Sequence, residues 1–202
     1  MATYFITGIG TGIGKTLISA ILTEKLKADY WKPIQSGDLE TSDSLTIEKL
    51  ISNTKTVIHP ESYRLAQPLS PHLSAKLDGI EIDLHKINIP ETDNDLIIEG
   101  AGGLMVPLNE KELIIDLIKK LNVEVILISQ HYLGSINHTL LSVNLLKQHE
   151  IPIKGIIFNG GENLETERYI LQYAKIKRLG YVPVLKNIDK EEVEAAGQNL
   201  LI

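Results

Sequence analysis

Residues Gly8 to Thr16 read G-I-G-T-G-I-G-K-T, between a short β-type run (Thr3–Thr7) and a helical pattern. A strand, a glycine-rich loop, Lys-Thr and a helix can wrap backbone N–H groups around a polyphosphate. The lysine then reaches the terminal phosphates and the threonine hydroxyl faces Mg²⁺. The spacing departs from the strict phosphate-loop rule of Gly, four residues and Gly-Lys-Thr. That rule puts its first glycine at Ile9, whereas the nearest earlier one, Gly8, leaves five residues between itself and Gly14. Gly10 and Gly12 are expected to supply the unusual backbone angles a cradle needs. ATP or GTP is the expected ligand; the alternative is a glycine-rich turn that binds nothing.

Five further segments carry candidate chemistry. Trp31-Lys32-Pro33-Ile34-Gln35-Ser36-Gly37 follows a second strand. There Lys32 could add positive charge where phosphoryl transfer spreads negative charge, or be an exposed lysine beside a turn. Ser36 has the same two readings, since Ser-Gly is common in turns. Asp43 opens a candidate helix, as a first-turn charge or as an oxygen for Mg²⁺. Asp95-Leu-Ile-Ile-Glu99 is an apolar strand ending in a carboxylate, followed by what reads as a flexible turn, Gly100-Ala101-Gly102-Gly103. A buried, unpaired glutamate is costly, which favours a metal role for Glu99. Gly134-Ser135-Ile136-Asn137 starts an apolar helix and could receive an anion or merely cap it. Asn159 ends another strand. Its amide can donate and accept at once, which suits the amino edge of adenine, although Asn-Gly-Gly is also an ordinary turn.

The elements that must position these residues alternate along the chain. Strands are expected at Tyr4–Thr7, Tyr30–Pro33, Asp95–Ile98, Val123–Ser129, Gly155–Asn159 and Gly180–Pro183. Helices are expected at Lys15–Lys27, Leu113–Leu121, Ser135–His149 and Leu164–Leu179. Short Ile- and Val-rich strands alternating with amphipathic helices predict a doubly wound, mainly parallel α/β sheet with helices on both faces, of the phosphate-loop NTPase type. Ligands of such sheets sit beyond the carboxyl ends of the strands, where the candidate residues fall. The stretch Lys55–Asp93, broken by Pro60, Pro68, Pro71 and Pro90, reads as irregular and as an insertion that could lie over the site or at an interface. One domain over residues 1–202 is expected.

Composition narrows the function classes. The net charge of −6 gives no basic stripe for nucleic acid. The densest basic stretch, Lys175–Arg178, reads as a solvated helix end. With no cysteine, thiol catalysis, disulfides and Cys-based metal sites are excluded. The six histidines lack metal-ligand spacing, and His72 and His138 read as packing or hydrogen-bonding residues. No apolar run approaches the roughly 18–20 residues a membrane span needs. Met1 leads directly into the first strand, so no signal peptide is expected and the expected compartment is the cytoplasm.

Taken in order, the blocks G-I-G-T-G-I-G-K-T, W-K-P-I-Q-S-G, S-D-S-L, L-S-P-H, I-I-E-G-A-G-G-L-M-V-P-L, L-G-S-I-N-H, I-F-N-G and L-G-Y-V-P resemble the dethiobiotin synthetase family, from residue 3 to about residue 185. That family's loop also has five residues between its glycines. The resemblance implies an ATP- and Mg²⁺-dependent closure of 7,8-diaminononanoate with CO₂ (or bicarbonate) to the cyclic urea dethiobiotin, releasing ADP and phosphate. It implies Lys32, Lys15 and Thr11 as catalytic residues and Thr16, Asp43 and Glu99 as Mg²⁺ ligands. The implied nucleotide site comprises Gly12, Ile13, Gly14, Lys15, Thr16, Leu17, Asp43, Glu99, Gly100, Ala101, Gly102, Asn159, Gly160 and Pro183. Ser36 and the stretch Gly134, Ser135, Ile136 and Asn137 would contact substrate, the latter from the second chain of a homodimer. The chain departs from the family pattern at Gly12, often Glu, and at Gly160, often Asp, and its Lys15–Lys32 segment is shorter. Competing readings are a partner-switching ATPase, a cobyrinic acid amidation enzyme and a binding-only relative. The first normally has a loop lysine where this chain has Gly10, the second needs a cysteine, and the third would not retain Lys32, Asp43 and Glu99.

Overall fold

The computed structural model describes residues 1–202. Seven parallel strands form one sheet: β1 (Thr3–Gly8), β2 (Asp29–Trp31), β4 (Ile58–His59), β6 (Leu96–Gly103), β7 (Glu124–Gln130), β8 (Ile153–Gly160) and β9 (Arg178–Pro183). Their spatial order is β4-β2-β6-β1-β7-β8-β9. Two short strands, β3 (Ile34–Ser36) and β5 (Tyr63–Leu65), pair separately, also in parallel. Seven helices connect them: α1 (Lys15–Leu26), α2 (Asp43–Leu50), α3 (Pro71–Leu77), α4 (Ile114–Leu121), α5 (Ser135–Gln148), α6 (Leu164–Ala174) and α7 (Lys190–Gly197). This is the doubly wound sheet the alternation predicts. No helix is long and apolar enough to cross a membrane.

Side-chain alternation along the strands builds the two cores. Ile6, Ile97, Ile126 and Ile128 face one way, onto Ile18 and Ile21 of α1 and Val193 of α7. Phe5, Ile98 and Val125 face the other, onto Ile115 and Ile118 of α4. Further along that face, Phe158 packs with Val143 of α5 and Ile170 of α6. In α4, Ile114, Ile115, Leu117, Ile118 and Leu121 are all buried, while the Asp116 carboxylate accepts from the Leu113 N–H at 2.8 Å and closes the first turn. The connection from β1 runs to β2 in one half of the sheet, and the later connection from β6 passes β1 to reach β7 in the other half. The switch point, where such folds bind ligands, therefore lies at the carboxyl end of β1.

Several boundaries differ from expectation, each for a local reason. The stretch Gly100–Gly103 is the end of β6 rather than a flexible turn. Gly100 packs so closely on the Phe5 ring that a Cβ there would sit 2.7 Å from it, so the strand continues where a side chain would stop it. The expected strand Tyr30–Pro33 ends at Trp31, and Ile34–Ser36 leaves to pair with Tyr63–Leu65. The helix expected to reach Leu179 stops at Ala174. Lys175 takes a left-handed conformation, and Arg178 and Leu179 belong to β9. The basic stretch there is thus a cap and a strand start, and Arg178 pairs with the buried Glu167 at 2.8 Å. The segment read as irregular holds β4, β5 and α3, and α7 follows the last expected strand.

Ile98 is fully buried and immediately precedes Glu99. Ile98→Ala is expected to cost about 2–5 kcal/mol of stability through lost packing and a residual cavity. A lowered urea midpoint at unchanged slope checks this.

Candidate active site

The phosphate loop joins β1 to α1. Positive φ falls at Gly12 (72°) and Gly14 (89°), not at Gly10 as expected, and Gly14 is the residue from which α1 starts. Lys15, the first residue of α1, is buried and folds back so that Nζ donates to the Gly10 carbonyl at 3.0 Å. Burial brings its pKa down to about 8. Glu99 and Asp43 oppose that shift, and the charge on Lys32 reinforces it.

The neighbouring strands deliver the acids and the second lysine. Trp31 of β2 is level with Ile98 of β6, so the next residues, Lys32 and Glu99, arrive side by side. Lys32 Nζ donates to Glu99 Oε1 at 3.1 Å and also to Asp43 Oδ2. Asp43 is brought in by the start of α2, whose cap is Ser42, the hydroxyl accepting from the Leu45 N–H. Thr16 completes the set: its hydroxyl lies 2.7 Å from Asp43 Oδ1 and 3.0 Å from Glu99 Oε1. Burial alone would lower Lys32, but the Glu99 and Asp43 carboxylates more than offset it and hold the ammonium above its ordinary range. Burial would raise Asp43, and Lys32 in turn holds it below the usual carboxylate range. Lys32 is therefore a fixed positive charge at neutral pH.

Around this cluster opens a cleft of about 730 Å³. Thr11, Gly12, Gly14, Lys15 and Thr16 line its floor; Ala101, Gly102 and Val106 line one side. The opposite wall is Ile34, Gln35 and Ser36 with Pro68–Pro71, so part of the segment read as irregular does border the site. The Ser36 hydroxyl is directed at the Gln67 and Leu69 carbonyls, at 3.2 and 2.8 Å, and ties that wall to β3.

Other sequence-derived candidates lie elsewhere. Ile13 and Leu17 pack into the core beside α1, and Gly100 is covered by Phe5. Asn159, Gly160 and Pro183 end β8 and β9 and do not line this cleft. Gly160 (φ 100°) has its carbonyl bonded by the Tyr181 hydroxyl at 2.7 Å. Gly134–Asn137 opens α5 and is also outside the cleft; Ser135 is buried, whereas Gly134 and Asn137 are exposed. His138 hydrogen-bonds Tyr132 at 2.7 Å, as its reading required.

Two residues at the site were not foreseen. The fully buried Tyr30 donates to Glu99 Oε2 at 2.9 Å. Burial and the Glu99 charge push its hydroxyl well above the ordinary range, so it remains a donor. The signal was available, because Tyr30 is two residues before Lys32 on an extended strand and shares its face. Gln35 accepts from the Asp43 N–H at 3.3 Å and donates to the Gly37 carbonyl at 2.9 Å; nothing in its sequence context marks that.

The donor set fits a hard cation held jointly with a nucleotide. Two carboxylates and a hydroxyl converge through oxygens, and no group of three or more His, Cys, Asp or Glu side chains forms a self-sufficient metal cage. Mg²⁺ is commonly held this way, by one or two carboxylates plus phosphate oxygens.

Comparison with known proteins identifies the family and the fold. The family model described as "AAA domain" matches residues 2–192. The ATP-dependent dethiobiotin synthetase BioD of Christiangramia forsetii is 57% identical over 188 residues, 93% of this chain and 87% of that protein. The Cytophaga hutchinsonii protein of the same name is 54% identical, over 96% of this chain and 95% of its own. Among solved structures, the septum site-determining protein MinD of Pyrococcus horikoshii, complexed with Mg-ADP, aligns with a TM-score of 0.60 over 96% of this chain and 86% of its own. At 16% identity that likeness shows the fold alone.

Since Lys15 has its pKa near 8, it is charged below that pH and loses its proton above it. Nucleotide binding favours the charged form. Affinity is therefore expected to weaken between pH 8 and 9.5, and binding at pH 8.5 should take up protons. Calorimetry in buffers of different ionisation enthalpy checks the uptake; its absence would remove Lys15 from the phosphate contact.

Proposed function

The chain belongs to the AAA domain family and, within it, to the ATP-dependent dethiobiotin synthetases, and from that membership we propose how its cleft works. It is an ATP-dependent ligase of biotin biosynthesis. The proposed reaction joins 7,8-diaminononanoate and CO₂. One amine captures CO₂ as a carbamate, and the carbamate oxygen attacks the γ-phosphate of ATP, breaking its bond to the bridging oxygen and releasing ADP, to give a carbamic–phosphoric mixed anhydride. The second amine then displaces phosphate and closes the cyclic urea.

The observation that carries this reading is the convergence of Lys15, Thr16, Lys32, Asp43 and Glu99 in one cleft. Such a reaction needs no covalent nucleophile from the protein, only positioning and charge stabilisation. Loop N–H groups, Thr11 and Lys15 hold the phosphates. Lys32, fixed and charged, sits between carbamate and γ-phosphate and stabilises the negative charge that spreads between them. Thr16, Asp43 and Glu99 would hold Mg²⁺, whose charge offsets that of the β- and γ-phosphates when it is bound. Ser36, on the far wall, contacts the diamine.

Base recognition falls to Asn159, Gly160 and Pro183 at the adjacent strand ends. The substrate's carboxylate tail is received by Gly134–Asn137 of a second copy of the chain, in a cytoplasmic homodimer. That this stretch lies outside the chain's own cleft, with Gly134 and Asn137 exposed, supports a site completed by association.

The test is phosphate release from Mg-ATP and bicarbonate with and without 7,8-diaminononanoate, with mass analysis of the product. Diamine-dependent release with gain of one carbonyl unit is expected. Release indifferent to the diamine would sink the reading. Lys32→Ala should lose at least about 10²-fold in kcat, the scale of removing one transition-state electrostatic contact, while equilibrium dialysis still finds bound ATP. Near-normal turnover would take Lys32 out of the mechanism.

A further inference from the structure

Asn159 and the phosphate loop are 146 residues apart in sequence, yet the Asn159 Nδ2 donates to the Ile13 carbonyl at 2.8 Å. The side chain is buried and does not line the cleft. On its other side the contact is just as close: a Cβ on Gly14 would lie 2.2 Å from Nδ2. Gly14 has φ of 89°, so both its backbone angle and the space beside it demand glycine. The amide is thus seated on the Ile13–Gly14 peptide.

The consequence follows from peptide geometry. A trans peptide is planar, so its C=O and N–H point in opposite directions. Holding the Ile13 carbonyl on Asn159 turns the Gly14 N–H away from β8, on the side where Gly12, Gly14 and Lys15 line the cleft. The next residue is Lys15, whose side chain spans the loop to Gly10. One side-chain hydrogen bond therefore orients a donor of the phosphate cradle and the peptide from which α1 starts.

We propose that Asn159 is a positioning residue for the phosphate loop, acting on the bound phosphates through the Ile13–Gly14 peptide in addition to any contact with the base. This rests on the reading of the loop as the nucleotide site. It has a specific consequence: Asn159 matters for a ligand that has no base at all. An amide carries two N–H donors and one acceptor oxygen. Fastening the loop uses one donor and leaves the other groups for the base, so both roles fit one side chain.

The experiment measures the affinity of inorganic tripolyphosphate and of ATP, each with Mg²⁺, by displacement of a fluorescent nucleotide. Wild type is compared with Asn159→Ala and Asn159→Asp. The aspartate keeps the shape and the acceptor but loses the donor, and it serves where the alanine variant does not fold. Both variants are expected to lose about threefold to tenfold for tripolyphosphate, the range of one hydrogen bond's net worth. Weakened ATP binding with unchanged tripolyphosphate binding would make Asn159 a base reader only and overturn the proposal. Unchanged binding of both would overturn it as well. Amide hydrogen exchange of the ligand-free protein supplies a readout independent of the reaction. The variants should exchange faster at Ile18, whose N–H is held on the Gly14 carbonyl at 3.0 Å, and equal rates would refute the fastening. Wild type that binds neither ligand would instead count against the nucleotide reading, while the exchange comparison still decides whether Asn159 holds the loop.

Discussion

The buried carboxylate of Glu99 is the constraint around which this fold is arranged. It is 1% exposed, and an ionised carboxylate so placed is expensive unless several partners share its charge. Three do: Lys32 and Thr16 on Oε1 and Tyr30 on Oε2. They come from two different parts of the structure. Tyr30 and Lys32 depend on β2 lying beside β6 with Trp31 opposite Ile98, and Thr16 depends on α1 starting where the loop ends. A shift of one residue in the β2–β6 pairing would turn Lys32 to the opposite face and leave Glu99 unpaired. The cost of that charge therefore reports on the register of three elements at once.

Asp43 extends the same logic to the surface. It is more exposed than Glu99, and it shares Lys32 and Thr16 with it. Its position comes from the Ser42 cap and from Gln35, which fix the first turn of α2. The two acids thus differ in support. Glu99 is set by the sheet, which is rigid, and Asp43 by a helix end. A capped helix end has fewer packed neighbours than a central strand, so Asp43 is the less firmly held of the two.

What the sequence disclosed follows from the strength of each local signal. Parallel strands buried on both faces are continuous apolar runs, so β1, β7 and β8 were legible to within two residues, as were the helices with long stripes. The acids and lysines were legible because chemistry at the carboxyl ends of such strands is a rule of the fold. β4 and β5, of two and three residues, are too short to show any period and exist only through their partners. The end of β6 was misread because glycine was taken as a breaker, when its missing side chain is what lets the strand pass Phe5. The Tyr30 contact needed the partner strand to be known, and the Asn159–Ile13 bond joins points too distant in the chain for any local pattern to connect them.

Charge balance explains why backbone geometry carries so much of this site. The whole chain is at −6, and in the cleft Lys15 and Lys32 stand against three acids, Asp38, Asp43 and Glu99. The site is close to neutral, with Lys15 weakened further by burial. Long-range attraction of an anion is therefore small, and a bound polyphosphate must be stabilised by short-range donors. In the proposed reading these are the loop N–H groups, the amino-terminal end of α1 and the Thr11 hydroxyl, all of which act only within hydrogen-bond reach. A cradle of that kind tolerates little misplacement, since a donor turned away contributes nothing. Positive charge can act approximately from a distance, but peptide N–H groups cannot. A near-neutral site consequently has to be a rigid one, which makes the fastening of the loop at Ile13 and Gly14 as consequential as the lysines it presents.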